Sequence, residues 1–506
     1  MAAPSASAIS KLHPQPGADE ATLAKLGYKQ EFRREFTPLE VAGLAFSIVG
    51  VVPSIASVLF YIIPNGGPVA MVWGWVFACP FIMCTGLALA ELASAAPTSG
   101  GLYYWTYSLA SPRCRNFLSW IVGYSNTIEM ITGVSSINWA CAIQITAAIS
   151  ITSSDQTYTT TNQQLYLCFI IIIALPIATP PDYRNSANFA LGEFTNLAGW
   201  PSVFAFILSL MAPLYTIAGY DTSVHMSEEA SNAAMAIPWA IVSSIAVSAV
   251  LGCGVNISLA FCMGTDVGSL LNSPIGQPMA QILFNSLGQQ KALALWCLII
   301  IAEYIMASNF LLVGSRQTFA FARDGAIPFS RYLYRINRYT GTPVNTVWFE
   351  IICSLAIGLL SFMSTEAIDA VFTIAITASY IAYITPITNR FVFQNDFKPG
   401  PFYLGKLSFP VSVIAVTWMA FMILVFFFPA IPQTTAQEMN YTVVVLGGFM
   451  FLAISWYYFP VYGGVHWYTG PISNYTPAIR GENKDEDSIS ERKEHDAEIY
   501  VSVVDV

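Results

Sequence analysis

Residues 210–237 read LMAPLYTIAGYDTSVHMSEEASNAAMAI, an apolar stretch interrupted at Ala218-Gly219-Tyr220-Asp221 and closed by Glu228 and Glu229. Glycine loosens a helix, and a carboxylate in hydrocarbon is costly without a partner. A break of this kind is tolerated at membrane depth only where it lines a cavity or is enclosed by protein, because every freed amide and carbonyl must find a partner there. A second interrupted run, FSIVGVVPSIASVLFYIIP, covers residues 46–64. Two broken spans in corresponding halves of a chain point to a central transport site.

The composition agrees with a membrane setting. The 506 residues are 55% hydrophobic and 10% charged, with a mean hydropathy of +0.57, whereas a soluble domain carries about a quarter charged residues. The expected fold is an all-α polytopic membrane protein whose helices pack in membrane lipid. The net charge of −9 is concentrated toward the end of the chain, and no basic tract suggests nucleic acid as a partner. Nine cysteines fall mostly inside apolar runs without zinc-type spacing and read as small buried hydrophobes. No cofactor or metal is implied. No nucleophile, base and acid cluster in a non-membrane stretch, which argues against an enzyme. The first 35 residues lack an apolar core with a cleavage site, so the first span is expected to act as its own targeting signal. The chain divides into a cytoplasmic tail (1–40), a transporter domain (41–462) and an acidic cytoplasmic tail (463–506).

Apolar runs of membrane-span length lie near 41–63, 69–92, 117–150, 163–179, 201–224, 237–262, 291–319, 344–363, 368–388, 408–430 and 441–462. The stretch 91–107, ELASAAPTSGGLYYWTY, is too polar for a span and reads as a re-entrant or surface element with its aromatic rings at headgroup level. Arginines and lysines at 29–34, 113–115, 323–338 and 390–406 mark the cytoplasmic side. Counted from them, 151–162 and 181–200 both fall outside, yet only one run separates them. One crossing cannot begin and end on the same side. The run 163–179 is re-entrant, the third run crosses incompletely, or a span is missing. The proline-rich segment 176–188 cannot itself cross.

The motifs GYKQEFRREFTPLEVAGLAFSIVG, ELASAAPTSGGLYYWTY, FTNLAGW, YTIAGYDTSVHMSEEASNAAMAIPWAI, SRQTFAFARDGAIPFS and SWYYFPVYG together give the chain, over about Gly27 to Gly470, a clear likeness. It resembles the amino acid–polyamine–organocation superfamily, and within it the fungal amino acid/choline transporter family that includes GABA and choline permeases. The resemblance implies twelve spans and a five-plus-five inverted repeat, with the first and sixth spans unwound around the substrate. This chain departs from that pattern after Leu175, where a linker and helix normally precede FTNLAGW. The expected fold is therefore this repeat lacking one of the usual twelve helices.

Unwound helix ends offer amides to an anion and carbonyls to an ammonium. The expected substrate-binding residues are Ser47, Gly50, Val51, Val52, Pro53 and Ser54 at the first break and Ile217, Ala218, Gly219, Tyr220 and Asp221 at the second. Close helix packing is the alternative use of such small residues. The first break carries Gly50-Val51-Val52-Pro53-Ser54 where better-known members of the superfamily carry a Gly-Ser/Thr-Gly signature. Glu129, 12 residues into the third run, sits near mid-membrane and is expected to pair with a substrate ammonium or carry a proton, with a neutral structural glutamate as the alternative. Glu303 is similarly deep, beside Tyr304, Ser308 and Asn309. Glu91, Glu228, Glu229, Arg316, Arg323 and Asp324 are expected at the cytoplasmic mouth as state-dependent ion pairs or as solvated charges. Trp73/Trp75 and Trp456/Tyr457/Tyr458 read as interface anchors.

The sequence thus reads as a secondary active permease of the plasma membrane that imports an amino acid or small amine such as GABA. Proton coupling follows from the resemblance alone. Choline is the second substrate reading, favoured if Tyr220 and tryptophans ring the site, and a non-transporting sensor or defective gene product is the different-class reading.

Overall fold

The computed structural model describes residues 18–152, 168–362, 365–393, 395–429, 431–432 and 439–474. Helix α1 (Pro38–Val49) begins on a capping box: Thr37 Oγ1 accepts from the Glu40 amide, and the Glu40 carboxylate accepts from the Thr37 amide. Pro38 takes the first helical position, where a missing N–H costs nothing. Gly50 then turns left-handed (φ 50°, ψ 60°), and the chain resumes as α2 (Val51–Ile62). A two-residue antiparallel ladder, Asn65 with Asn196 and Gly66 with Thr195, ties the end of α2 to the approach to the second broken span.

Further helices follow in chain order. They are α3 (Trp75–Ala95), α4 (Gly101–Leu109), α5 (Arg115–Thr152) and, after a π-helical turn at Ile170–Ala174, α6 (Leu175–Ala178). The second broken span is α7 (Ser202–Ser209), α8 (Met211–Thr216) and α9 (Thr222–His225). Then come α10 (Ala233–Cys262), α11 (Gln289–Arg323), α12 (Val344–Gly358), α13 (Thr365–Val392), α14 (Ser408–Val425) and α15 (Thr442–Tyr457). Every apolar run expected from the sequence is mainly helical in its described part, with a break inside 41–63 and another inside 201–224. Among the described residues, seven helices have the length and hydropathy to cross a membrane, and three more apolar helices are 10–17 residues long.

Packing joins corresponding parts of the two halves: α2 lies on α8, α3 on α10, and α5 on α11. Small residues set these close approaches. A Cβ at Gly252 of α10 would fall inside the Trp75 ring of α3, and one at Gly123 or Gly133 of α5 would strike Phe321 or Phe310 of α11. Trp75 is consequently a core residue whose Nε1 donates to Ala249 O (2.9 Å) rather than the interface anchor its composition suggested. Trp73 remains half exposed. Likewise Tyr457 is buried, while Trp456 and Tyr458 stay at the surface. The 91–107 stretch does form a short helix, α4, yet Tyr103 and Trp105 pack inward against α5 and α13 instead of pointing to a headgroup layer. All nine cysteines are unpaired thiols.

The segment around α6 bears on the crossing count. Gln289 Nε2 donates to Ile151 O (2.7 Å), so α5 ends where α11 begins. Further on, Ile171 O accepts from Ser258 Oγ (2.6 Å) and the Asn185 amide donates to Phe261 O (2.9 Å). Residues 168–178 therefore run alongside α10 in the same direction and emerge with it, and α6 also packs on Pro278–Leu287, the helix just before Gln289. The end of α5 and the end of α6 lie on one face. A groove of about 460 Å³ lined by Ile172, Pro176, Gly254, Ile257 and Phe261 opens between this segment and α10. It lies against α10 because α6 follows that helix. The loop expected at 151–162 and the acidic segment after Gly481 lie outside the described residues, apart from Ile151 and Thr152.

Candidate substrate site and inner gate

The two breaks face each other across one small cavity. Ile48 and Val49 line it from the first break, Ala218 and Gly219 from the second, and Glu129, Tyr215 and Phe310 complete its wall. Gly219 is left-handed (φ 76°), and a Cβ there would sit 2.8 Å from Ile48 Cγ2 and 3.3 Å from Phe310 Cε2. The first break is narrower than expected. Only Gly50 leaves helical dihedrals, while Val51, Val52, Pro53 and Ser54 are buried in the first turn of α2. Ser54 Oγ donates to Val49 O (2.9 Å), covering one carbonyl freed at the break. Asn309 Nδ2 donates to Ser47 Oγ (2.9 Å), tying α11 to the end of α1. No side chain caps the start of α2, so its first amides, which have no intrahelical acceptor, open toward the break. The free space at the centre is about 30 Å³, room for two or three waters at roughly 10–15 Å³ each. The molecule is closed around its centre.

Two buried carboxylates lie close together here, Glu129 in the cavity wall and Asp221 just behind the second break. Glu129 Oε2 accepts from Asn126 Nδ2 (2.9 Å) and Oε1 from the Tyr383 hydroxyl (3.3 Å). Asp221 is fully buried beside the same Tyr383, and neither of its oxygens meets hydrogen-bond geometry with a protein donor. Tyr220 lies behind the break with its ring 6.0 Å from that of Tyr383, and Ile217 ends α8 within the core. Tyr383, Phe310 and Met306 were not foreseen. They occupy uninterrupted apolar runs where nothing in the local pattern separates a lining residue from a packing one. Glu303 is also buried, but its partner is Gln144 (3.4 Å), not Tyr304, Ser308 or Asn309: Tyr304 points outward, Ser308 bonds its own helix, and Asn309 is taken by Ser47. A further buried acid, Glu350 of α12, accepts from Thr318 (2.7 Å) and covers Gly314.

Below the cavity the expected charge pairs form. Arg323 bonds Glu228 through two nitrogens and stacks over the Tyr28 ring at 4.0 Å, and Arg316 bonds Glu229 at 2.8 Å. Arg390 bonds Glu91 (2.8 Å), which also accepts from Ser408 Oγ and the Leu404 amide. These pairs are desolvated, unlike the solvated alternative. Asp324 accepts from Tyr103 (2.8 Å), Tyr28 (3.2 Å) and the Ile472 amide (3.0 Å). Burial pushes its carboxyl up to about 6, against the lowering pull of Arg323 and these donors. The two ends of the described chain meet here as well: Ser473 Oγ and the Asn474 amide donate to Gly27 O, and Asn474 Nδ2 reaches Glu31.

Comparison with known proteins gives the lineage. The profile of the amino acid permease family matches residues 36–179 and 139–449, so that 139–179 are matched twice. An uncharacterized amino-acid permease of Schizosaccharomyces pombe is 37% identical over 499 residues, taking in 92% of this chain and 90% of its own. The GABA-specific permease of Saccharomyces cerevisiae is 37% identical over 506 residues, with 91% and 88% covered. Amino-acid permease 2 of Neurospora crassa is 31% identical over 488 residues, with 90% and 89% covered.

Proposed function

The chain belongs to the amino acid permease family, and from that premise we propose that it imports an amino acid or a related small amine such as GABA across the plasma membrane, driven by a co-transported proton. The observation that carries this reading is the pair of buried carboxylates at the breaks. Glu129 has two polar donors and Asp221 has none in hydrogen-bond geometry. A carboxylate stripped of water needs a counter-charge. A substrate ammonium supplies one when bound, and a proton supplies one when the site is empty. The substrate's carboxylate would meet the uncapped amides at the start of α2.

In this scheme the closed cavity is one stage of alternating access, and Arg323–Glu228 and Arg316–Glu229 hold the cytoplasmic side shut until substrate and proton bias the equilibrium. The positive-inside distribution of arginines supports that orientation. A methylammonium substrate such as choline has no N–H to donate and would favour a cage of aromatic faces. Tyr215 and Phe310 line the cavity, and no tryptophan is among its described lining residues, so a primary amine is the better fit. Uptake into proteoliposomes of labelled amino acids, GABA and choline, at two external pH values, tests the reading. Saturable uptake of one amine that rises as external pH falls is expected. Absence of uptake for the whole panel would leave a non-transporting role.

A further inference from the structure

Above the central cavity lies a second, larger one of about 100 Å³. Its walls include Tyr61 at the outer end of α2, Asn65, Met211 of α8, Asp369 and Thr373 of α13, and Asn440. It is separated from the centre by aromatic rings: Phe372 packs against Tyr215 at 5.0 Å and against Tyr61 at 6.2 Å. Helix α13 passes both spaces, presenting Asp369 and Thr373 to the outer cavity and Ala375 to the inner one.

The chemistry of the outer cavity is specific. Asp369 is the one charged side chain among its described lining residues, and the Tyr61 hydroxyl donates to its Oδ1. Asn65 is nine-tenths buried. Its Nδ2 donates to Tyr61 O (2.8 Å), which fixes the amide orientation, and its Oδ1 has no hydrogen-bond partner. A buried acceptor left unpaired is costly, so this oxygen favours a donor. A carboxylate and an unpaired amide oxygen on one apolar-walled cavity, with Phe426 and Phe428 supplying ring faces, together suit a cation with several N–H donors. A primary ammonium has three.

We propose that this outer cavity is a first-contact subsite that holds the ammonium of the amine substrate between Asp369 and Asn65 Oδ1 before the Tyr61–Phe372–Tyr215 partition opens to the centre. The assignment rests on the amine-permease reading above and adds a second binding position to it. The cavity suits the amine end: its described lining residues include no lysine, arginine or histidine to meet a carboxylate. The substrate's carboxylate end then remains free to lead toward the amides of the first break.

Capture at an outer position governs how readily substrate reaches the centre, so its loss lowers kcat/KM by raising KM and leaves the later turnover step, kcat, in place. Proteoliposome uptake of the best amine found for the wild-type protein should show KM raised by about tenfold for Asp369→Asn, with kcat within about twofold. Asn65→Leu should raise KM in the same direction, and Asn65→Asp should lower it. Tyr61→Phe keeps the charge while deleting its hydroxyl partner, so KM should hold or fall. The subsite is overturned if Asp369→Asn and Asn65→Leu leave KM unchanged, or if Tyr61→Phe raises KM as far as Asp369→Asn does, which would make Asp369 a structural partner of Tyr61. Should Asp369→Asn fail to reach the membrane, the two Asn65 variants decide by the opposite signs of their effects. Failure of the wild-type protein to transport any amine would instead sink the permease reading itself, so the two failures are distinct.

Discussion

Arg323 grips Glu228 with both ends of its guanidinium, Nη1 to Oε2 and Nη2 to Oε1 at 3.1 Å each, and neither side chain reaches solvent appreciably. Removing one member of such a pair leaves the other charged and buried, a loss of about 3–5 kcal/mol. Arg323→Gln and Glu228→Gln should each lower the melting temperature of the solubilised protein and cut uptake. The double substitution should be less damaging than the sum of the singles. Strict additivity in a double-mutant cycle would show that the pair is not an energetic unit.

Asp324, the next residue, links the gate to pH. Its carboxyl is pushed up to about 6 chiefly by burial. An acid with a raised folded value keeps its proton where the unfolded chain, titrating near 4, has lost it. Its contribution to stability is therefore full below about pH 4 and is lost as pH rises through about 6. Melting temperatures of wild type and Asp324→Asn should diverge over that window, with the wild type losing ground toward neutral pH. Parallel melting curves would place Asp324 outside the linkage.

The left-handed glycines at the breaks carry a different expectation. Gly219→Ala faces both positive φ and contact with Ile48 and Phe310, a strain of about 1–3 kcal/mol, and should abolish uptake. At Gly50 the obstacle is the flexible end of Met306, so Gly50→Ala should be partly rescued by Met306→Ala. No such rescue should appear for Gly219→Ala in the Met306→Ala background.

These contrasts show what the sequence carries and what it cannot. Composition and run lengths exposed the all-helical membrane fold, and Gly219 and Gly50 marked both breaks, since few other residues could stand there. The width of the first break was not legible: Val51, Val52, Pro53 and Ser54 look interruptible, yet Pro53 fits a first helical turn as readily as a gap. Tyr383 and Phe310 were invisible for a related reason. A lining residue in a membrane helix is distinguished by what stands opposite, and Glu129 comes to Tyr383 from a helix 254 positions away. Glu350 likewise sits in the run 344–363, and only the fold shows that it is enclosed against Thr318.

Glu129 itself should matter through its charge. Glu129→Gln keeps the shape and the bond from Tyr383 while removing the proton exchange, and should abolish the pH dependence of uptake with surface expression near normal. Uptake that still responds to pH as the wild type does would take Glu129 out of the coupling path.

Among the described residues, no full crossing joins the end of α5 to the start of α6. Among these same described residues, the first half offers residues 168–178 after α5, whereas after α11 the second half supplies both α12 and α13. The ends of α5 and α6 share a face, through Gln289 on Ile151 and Asn185 on Phe261, so an even number of crossings must join them. Residues 139–179 satisfy the family profile twice over, as one stretch standing for two would. The aligned lengths with the relatives exceed the residues this chain contributes to them, by an amount on the order of one span of about 20 residues with its loop. The groove of about 460 Å³ lies between α10 and the segment around α6. We therefore expect the full transcript to encode an additional apolar segment of about 20 residues between Thr152 and Asn188, and the longer protein to fill that groove and transport more strongly than the present chain. Sequencing the transcript across this interval decides the matter cheaply. A transcript identical to the present sequence, together with robust uptake by its product, would defeat the missing-crossing account and make an odd connection between two ends on one face a working feature of this permease.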